Sequence, residues 1–203
     1  MSIQLINNFI SKEYCEEMVQ KIDPLLAESS RRLYYSEIWG GQYEPKSFDQ
    51  QDFNSKEFKN LKNQDEVRGL SLLLNAFYLV KSIVSSHYKK NITLFEGGLM
   101  KMEQNSINKI HADKFKINSF VDGRDGEGEG DICQFSAILY LSNQGDDFEG
   151  GEVYFPDHNI LIRPEAGMLV FFPGDEHHMH EVKRVTAGLR YVVPMFMGYE
   201  ENI

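Results

Sequence analysis

Gly167-Met168-Leu169-Val170-Phe171-Phe172, then Pro173-Gly174-Asp175, then Met179-His180-Glu181-Val182-Lys183-Arg184, then Thr186-Ala187-Gly188, then Leu189-Arg190-Tyr191-Val192-Val193-Pro194-Met195-Phe196-Met197 is the stretch on which the fold turns. Three apolar or alternating runs of strand length are separated by breakers made of Pro, Gly, Asp and Thr. Runs this short are right for strands and too short for core helices. The same grain extends upstream, with strands expected at 92–96, 98–103, 109–112, 133–142, 152–155 and 160–162. Turns are expected at Gly97-Gly98, Asn143 to Gly151, and Pro156-Asp157-His158-Asn159. Short strands closed one after another by tight turns imply a mainly β fold with flanking helices, a double-stranded β-helix or jelly roll.

That core is expected over residues 91–203, with 1–90 as a helical and irregular flank of the same single domain. A short strand is expected from Ile3 to Ile10. A helix follows from Ser11, a suitable N-cap, to a stop at Pro24. Tyr14, Met18 and Ile22 form its core stripe. Residues 31–63 read as irregular, with Tyr34, Tyr35, Trp39, Tyr43, Phe48, Phe53 and Phe58 either pinning the segment to the core or lining a groove. From Gln64 to about Tyr88, Leu70, Leu73, Leu74, Phe77, Val80, Ile83 and Val84 recur at helical spacing, as in a helix that backs a sheet. Val121 to Asp131, rich in Gly and acid, reads as a loop suited to a lid. Calcium is the other reading of its acids, although the EF-hand spacing is absent.

The chain of 203 residues carries 31 acidic against 21 basic residues, a formal charge of -10. With no basic excess, nucleic acid and anionic membrane surfaces are expected not to be partners. No apolar run reads as approaching the roughly 18 residues of a membrane span. The first residues lack the zones of a secretory signal, so a cytoplasmic location is the expectation. Cys15 and Cys133 are in no metal-like spacing and read as reduced, buried side chains.

The chemistry begins at His111-Ala112-Asp113. Residues two apart on a strand share a face, so an imidazole and a carboxylate converge there. A turn near Thr186 to Gly188 would place His180 and Arg190 on neighbouring antiparallel strands facing one interior. Two histidines and a carboxylate leave three positions open on an octahedral metal, the arrangement of non-haem iron(II) oxygenases. A buried guanidinium suits a two-pronged partner for a carboxylate. His178 shares a face with His180 on this reading, and His158 belongs to an exposed turn.

From about residue 98 to 198 the sequence resembles the catalytic core of prolyl 4-hydroxylase-type 2-oxoglutarate dioxygenases. The resemblance rests on His111-x-Asp113, Ala137-Ile138-Leu139-Tyr140-Leu141-Ser142, Phe148-Glu149-Gly150-Gly151-Glu152, the Pro164 to Phe172 run, and His180-Glu181-Val182 through Gly188-x-Arg190, in that order. It implies iron(II) on His111, Asp113 and His180, 2-oxoglutarate on Arg190 with Tyr140, dioxygen as oxidant and ascorbate as an accessory reductant. The implied reaction is hydroxylation of an unactivated C–H bond in a protein or peptide residue, or in a free amino acid or small metabolite. Gly150-Gly151 corresponds to a tight turn in such proteins. Met102 stands where relatives often carry Tyr, Asn105 where Gly is usual, and Phe196 or a neighbour where Trp is common. A non-catalytic metal-binding jelly roll and a zinc hydrolase are the competing readings, and neither calls for Arg190.

Overall fold

In the computed structural model of the chain, residues 2–25, 32–36, 42–46, 64–114 and 133–199 are described. The elements run β1 (Gln4–Ile6), α1 (Lys12–Ile22), β2 (Arg32–Ser36), β3 (Gln42–Lys46), α2 (Gln64–Tyr88), β4 (Ile92–Met102), β5 (Asn108–His111) and β6 (Phe135–Tyr140). Then follow β7 (Phe148–Gly150), β8 (Val153–Phe155), β9 (Ile160–Ile162), β10 (Leu169–Pro173), β11 (His180–Val182), β12 (Val185–Gly188) and β13 (Arg190–Tyr199). A major sheet has the order β1-β10-β6-β13-β4-β2-β3, and a minor sheet the order β5-β11-β8-β9. β7 and β12 form a two-stranded ribbon beside them. The mainly β fold with helices packed outside matches the expectation.

Alternation along the major strands divides the core in two. Ala137 and Leu139 of β6, Leu169 and Phe171 of β10, and Val193, Met195 and Met197 of β13 point to the helices. Ile138 and Tyr140, Val170 and Phe172, and Val192 point the other way, to Val153, Phe155, Ile162 and Val182 of the minor sheet. The second layer is the interior that holds the polar site.

Ser11 caps α1 by accepting from the Tyr14 N–H at 3.2 Å, and Met18 and Ile22 are fully buried. α2 matches its expected limits. Its buried face is Leu70, Leu72, Leu73, Ala76, Phe77, Val80 and Val84, while Ile83 lies outside it. Its segment Arg68–Tyr88 is long and apolar enough, by length and composition alone, to cross a membrane, so the reading that no run approaches that length is corrected. The exposed Tyr78, Leu79 and Ile83 raise its apolarity beyond what the core face uses.

Several strand expectations change. β1 is shorter than expected because Asn8 turns the chain with φ 51°. The segment before α2 is not wholly irregular, since β2 and β3 extend the major sheet beside β4. Trp39, Phe48, Phe53, Phe58 and the 121–131 loop lie outside the described residues. Gly97-Gly98 makes no turn. β4 runs through it, with a bulge where Glu96 and Leu94 meet consecutive residues of β13. The bulge brings Leu94, Gly97 and Leu99 to one face, and a Cβ on Gly97 would sit 2.9 Å from the Phe77 ring. Gly97→Val is therefore expected to destabilise the fold by about 1–3 kcal/mol through overpacking, read as a lower urea midpoint with metal affinity retained.

Candidate active site

β5 and β11 lie side by side in the minor sheet, and their register sets His180 opposite His111. Asp113 follows two residues after His111. The three side chains present ligand atoms all within 4.8 Å of one another. Nε2 of His111 is 3.3 Å from Asp113 Oδ1, and Nε2 of His180 is 3.6 Å from Oδ2. Both remaining ring nitrogens meet carbonyls: His111 Nδ1 donates to Lys109 O at 2.6 Å and His180 Nδ1 to His178 O at 3.1 Å. A carbonyl only accepts, so each Nδ1 carries the proton and each Nε2 presents a lone pair to the carboxylate. This is the tautomer that a divalent metal requires.

The site is buried on one side and open on the other. His180 is 3% exposed, while the His111 side chain is 32% exposed. Phe155 stacks 5.2 Å from the His180 ring and Phe172 meets it edge-on at 5.0 Å, which walls off that ligand from water. Burial pushes the Asp113 carboxyl up, yet at the acid pH where it titrates the hydrogen bond from a protonated His111 and the charge of a protonated His180, with a hydrogen bond from Ser136, outweigh burial and hold the group below its ordinary value. Burial pulls His180 down, against the raising pull of Asp113 and with a further lowering from His111. Asp113 is thus ionised and His180 neutral near pH 7, ready for a cation.

These shifts have a sign that can be checked. Below pH 6.5 the unfolded chain protonates its histidine while folded His180 stays neutral, so apo stability falls on acidification. Asp113 adds stability above its unfolded value of 3.8, and that is lost as pH drops through its lower folded value. Urea midpoints of the apo protein are expected to decline in both windows, and His180→Gln to remove the upper decline.

Arg190 and Tyr140 lie in the same interior, on adjacent strands β13 and β6. Arg190 is 1% exposed and its guanidinium stands 5.5 Å from the Tyr140 ring centroid. One guanidinium N–H donates to Met102 Sδ at 3.0 Å, a weak acceptor. Among the described residues, Arg190 Nε and the Tyr140 hydroxyl have no hydrogen-bond partner. Burial lowers the Arg190 pKa against the pull of Tyr140, and pushes the Tyr140 hydroxyl up to about 12. A buried cation beside an unpaired hydroxyl donor is a place prepared for an anion.

Two expectations about this region are corrected. Thr186 to Gly188 is not a bare turn but part of β12, which pairs with β7. His180 and Arg190 therefore lie on opposed sheets that face each other, rather than on neighbouring strands. His178 is not on the strand of His180. It ends the short helical turn Glu176–His178. His158 is exposed, as expected, and both cysteines are free and buried.

Gly150 and Gly151 adopt φ of 72° and 68°. A Cβ on Gly151 would meet Arg190 Cδ and the Phe148 ring, each at 2.9 Å, so the glycine makes room for the arginine. Gly151→Ala is expected to cost about 1–3 kcal/mol through its backbone conformation alone and to weaken anion binding at Arg190, both read from urea melts and 2-oxoglutarate titration. Asn105 takes φ 71°, a conformation that Asn tolerates better than most residues. Asn108, Ser136, Phe155 and Phe172 escaped the sequence reading. Asn108 Nδ2 comes within 3.4 Å of His111 Nε2. Asn108 lies three residues before His111 and the other three lie on strands without a ligand histidine, so only the pairing of the strands brings them to the site.

Residues 97–198 match the family model described as the 2OG-Fe(II) oxygenase superfamily. The chain is 27% identical over 146 residues to 2-oxoglutarate and iron-dependent oxygenase domain-containing protein 3 of Xenopus tropicalis, covering 70% of this chain and 40% of that protein. It is 35% identical over 69 residues to the multifunctional procollagen lysine hydroxylase and glycosyltransferase of Caenorhabditis elegans, covering 34% of this chain and 10% of that one. The chain thus spans less than half the length of these curated relatives. Among solved structures, the viral collagen prolyl hydroxylase of Paramecium Bursaria Chlorella virus-1, a 2OG complex, superposes with a TM-score of 0.60 at 13% identity, covering 98% and 96% of the two chains. A Trichoplax adhaerens prolyl hydroxylase, in complex with a hypoxia inducible factor oxygen degradation domain peptide fragment, gives 0.59 at 16% identity, covering 98% and 84%. These two likenesses concern the fold.

Proposed function

Since the chain belongs to the 2OG-Fe(II) oxygenase superfamily, we propose that it is an iron(II)- and 2-oxoglutarate-dependent dioxygenase that hydroxylates an unactivated C–H bond in a protein or peptide residue. The observation that carries this reading is the pairing of two features in one interior. A two-His, one-Asp cluster has its lone pairs turned inward, and a buried guanidinium stands beside an orphaned tyrosine hydroxyl. Neither a binding module nor a zinc hydrolase needs the second feature.

His111, Asp113 and His180 would hold the metal through two nitrogens and one oxygen on one face, leaving the other face open. The distal carboxylate of 2-oxoglutarate matches the unmet donors of Arg190 and Tyr140 in charge and number. Bound iron supplies oxidative decarboxylation of the oxo-acid coupled to C–H hydroxylation. Phe155 and Phe172 keep water from His180. Asp113 stays ionised and moves no proton. The peptide substrate is supported by the hydroxylases of procollagen lysine and of prolyl residues that the chain resembles in sequence or in fold.

Anaerobic iron(II) and 2-oxoglutarate are expected to give a weak visible charge-transfer band in the wild type. The band is expected to be absent in His180→Ala. No band from metal-loaded wild type sinks the dioxygenase reading. Succinate release is then compared for prolyl peptides, lysyl peptides and free amino acids, with and without ascorbate. Stimulation by free amino acids alone would move the substrate class to small metabolites.

A further inference from the structure

The nitrogen that keeps His180 in its metal-binding tautomer is held by something outside the strand. His111 uses the carbonyl of Lys109, which lies within its own strand β5. His180 uses the carbonyl of His178, which belongs to the turn Glu176–His178 preceding β11. The direction of that carbonyl therefore depends on what anchors the turn.

The anchor is Asp175, which holds the turn three times. Its Oδ1 accepts from the backbone N–H of His177 at 3.1 Å, and its backbone carbonyl accepts from the His178 N–H at 3.0 Å. The same Oδ1 accepts from His178 Nδ1 at 2.6 Å. The His178 ring is 3% exposed as a residue and lies between two others, stacked on His158 at 4.9 Å and on Phe172 at 6.5 Å. Phe172 in turn touches the His180 ring. Lys114, the residue after Asp113, pairs with Glu176 of the same turn at 3.4 Å.

We propose that Asp175 and the His178 side chain form a positioning clamp: by fixing the turn, they aim the His178 carbonyl at His180 Nδ1 and so set the ring orientation and tautomer of the metal ligand. The clamp rests on the metal-centre reading above. Partners of this kind, one step removed from a metal, typically alter affinity by about 10–100-fold when removed. Asp175→Asn keeps an oxygen where Oδ1 stands and preserves the two side-chain hydrogen bonds without the charge. Asp175→Ala removes both.

Cobalt(II) alone serves as the probe, titrated anaerobically into the full chain while its visible d–d absorption is followed. Asp175→Ala is expected to bind about 10–100-fold more weakly than wild type, with a changed band envelope at saturation. Asp175→Asn is expected to stay close to wild type in both. Val84→Ala, in the helix-facing core far along the chain from the site, serves as a variant that lowers stability without touching the clamp. Its cobalt affinity and envelope are expected to be unchanged even where its urea midpoint falls as far as that of Asp175→Ala. Wild-type affinity and envelope in Asp175→Ala overturn the clamp alone. Equal losses in Val84→Ala and Asp175→Ala also overturn it, as an effect of stability. A wild type that binds no cobalt overturns the metal centre and the clamp together.

Discussion

Arg190→Ala is expected to weaken 2-oxoglutarate binding by at least about 100-fold, the lower part of the roughly 3–5 kcal/mol attached to removing one member of a buried charge pair. The guanidinium is buried between the sheets, its Nε is unpaired among the described residues, and its Nη1 rests on the Met102 thioether. Nothing in that set neutralises the charge, so an incoming carboxylate meets a partner that no competing acid has satisfied. Without the ligand the same charge is a burden, because burial disfavours it. Arg190→Met is therefore expected to leave apo stability unchanged or raised while it removes 2-oxoglutarate affinity. Arg190→Lys keeps a charge but not the planar fork, and is expected to fall between the two. Thermal melts of apo protein and charge-transfer titrations separate the effects. In the wild type, 2-oxoglutarate at a hundred times its Kd is expected to add about 2.7 kcal/mol of stability, and the same concentration at most about 0.4 kcal/mol in Arg190→Ala. Equal 2-oxoglutarate affinity in the two proteins would remove Arg190 from the pocket.

The layered architecture was legible because the strands of the inner core announce themselves. The apolar runs around Leu139, Val170 and Val192 are bounded by residues that break strands, and the helices carry the matching stripes of Met18 and Phe77. Tyr140, His111, Asp113, His180 and Arg190 could be picked out because they fit an ordered set of motifs. How they meet could not. The spacing of ten residues from His180 to Arg190 suits a simple hairpin as well as it suits two sheets bridged by β12, and only long-range pairing of β11 with β5 and of β13 with β6 decides between them. Gly97 misled for a similar reason. A glycine pair reads as a turn, whereas here one of them makes way for the Phe77 ring of a distant helix. Asp175 reads only as part of a turn and His178 only as a neighbour of His180, because a hydrogen bond between nearby side chains leaves no periodic trace.

The second large effect concerns Asp113, whose side chain is 8% exposed and is the one carboxylate in the cluster. Asp113→Asn is expected to lower cobalt(II) or iron(II) affinity by more than the roughly 10–100-fold typical of partners one step removed from a metal, because the anion that faces the cation is lost. The conservative shape leaves the two imidazoles where the β5 and β11 register puts them. A competing account holds that the variant fails because its histidines become protonated. The electrostatics argue against it. Burial is the largest influence on His180 and pulls its pKa down, while Asp113 is what pulls it up. Removing the charge pushes His180 further toward the neutral form, so the lone pair stays available. Raising the pH from about 7 to about 8.5, well above the ordinary histidine value, is therefore expected not to restore metal binding to Asp113→Asn. Recovery at the higher pH would assign the defect to protonation of the histidines. Wild-type affinity in Asp113→Asn at either pH would show that the carboxylate is not a ligand, and would leave the two histidines without the charge that makes their facing pair a metal centre.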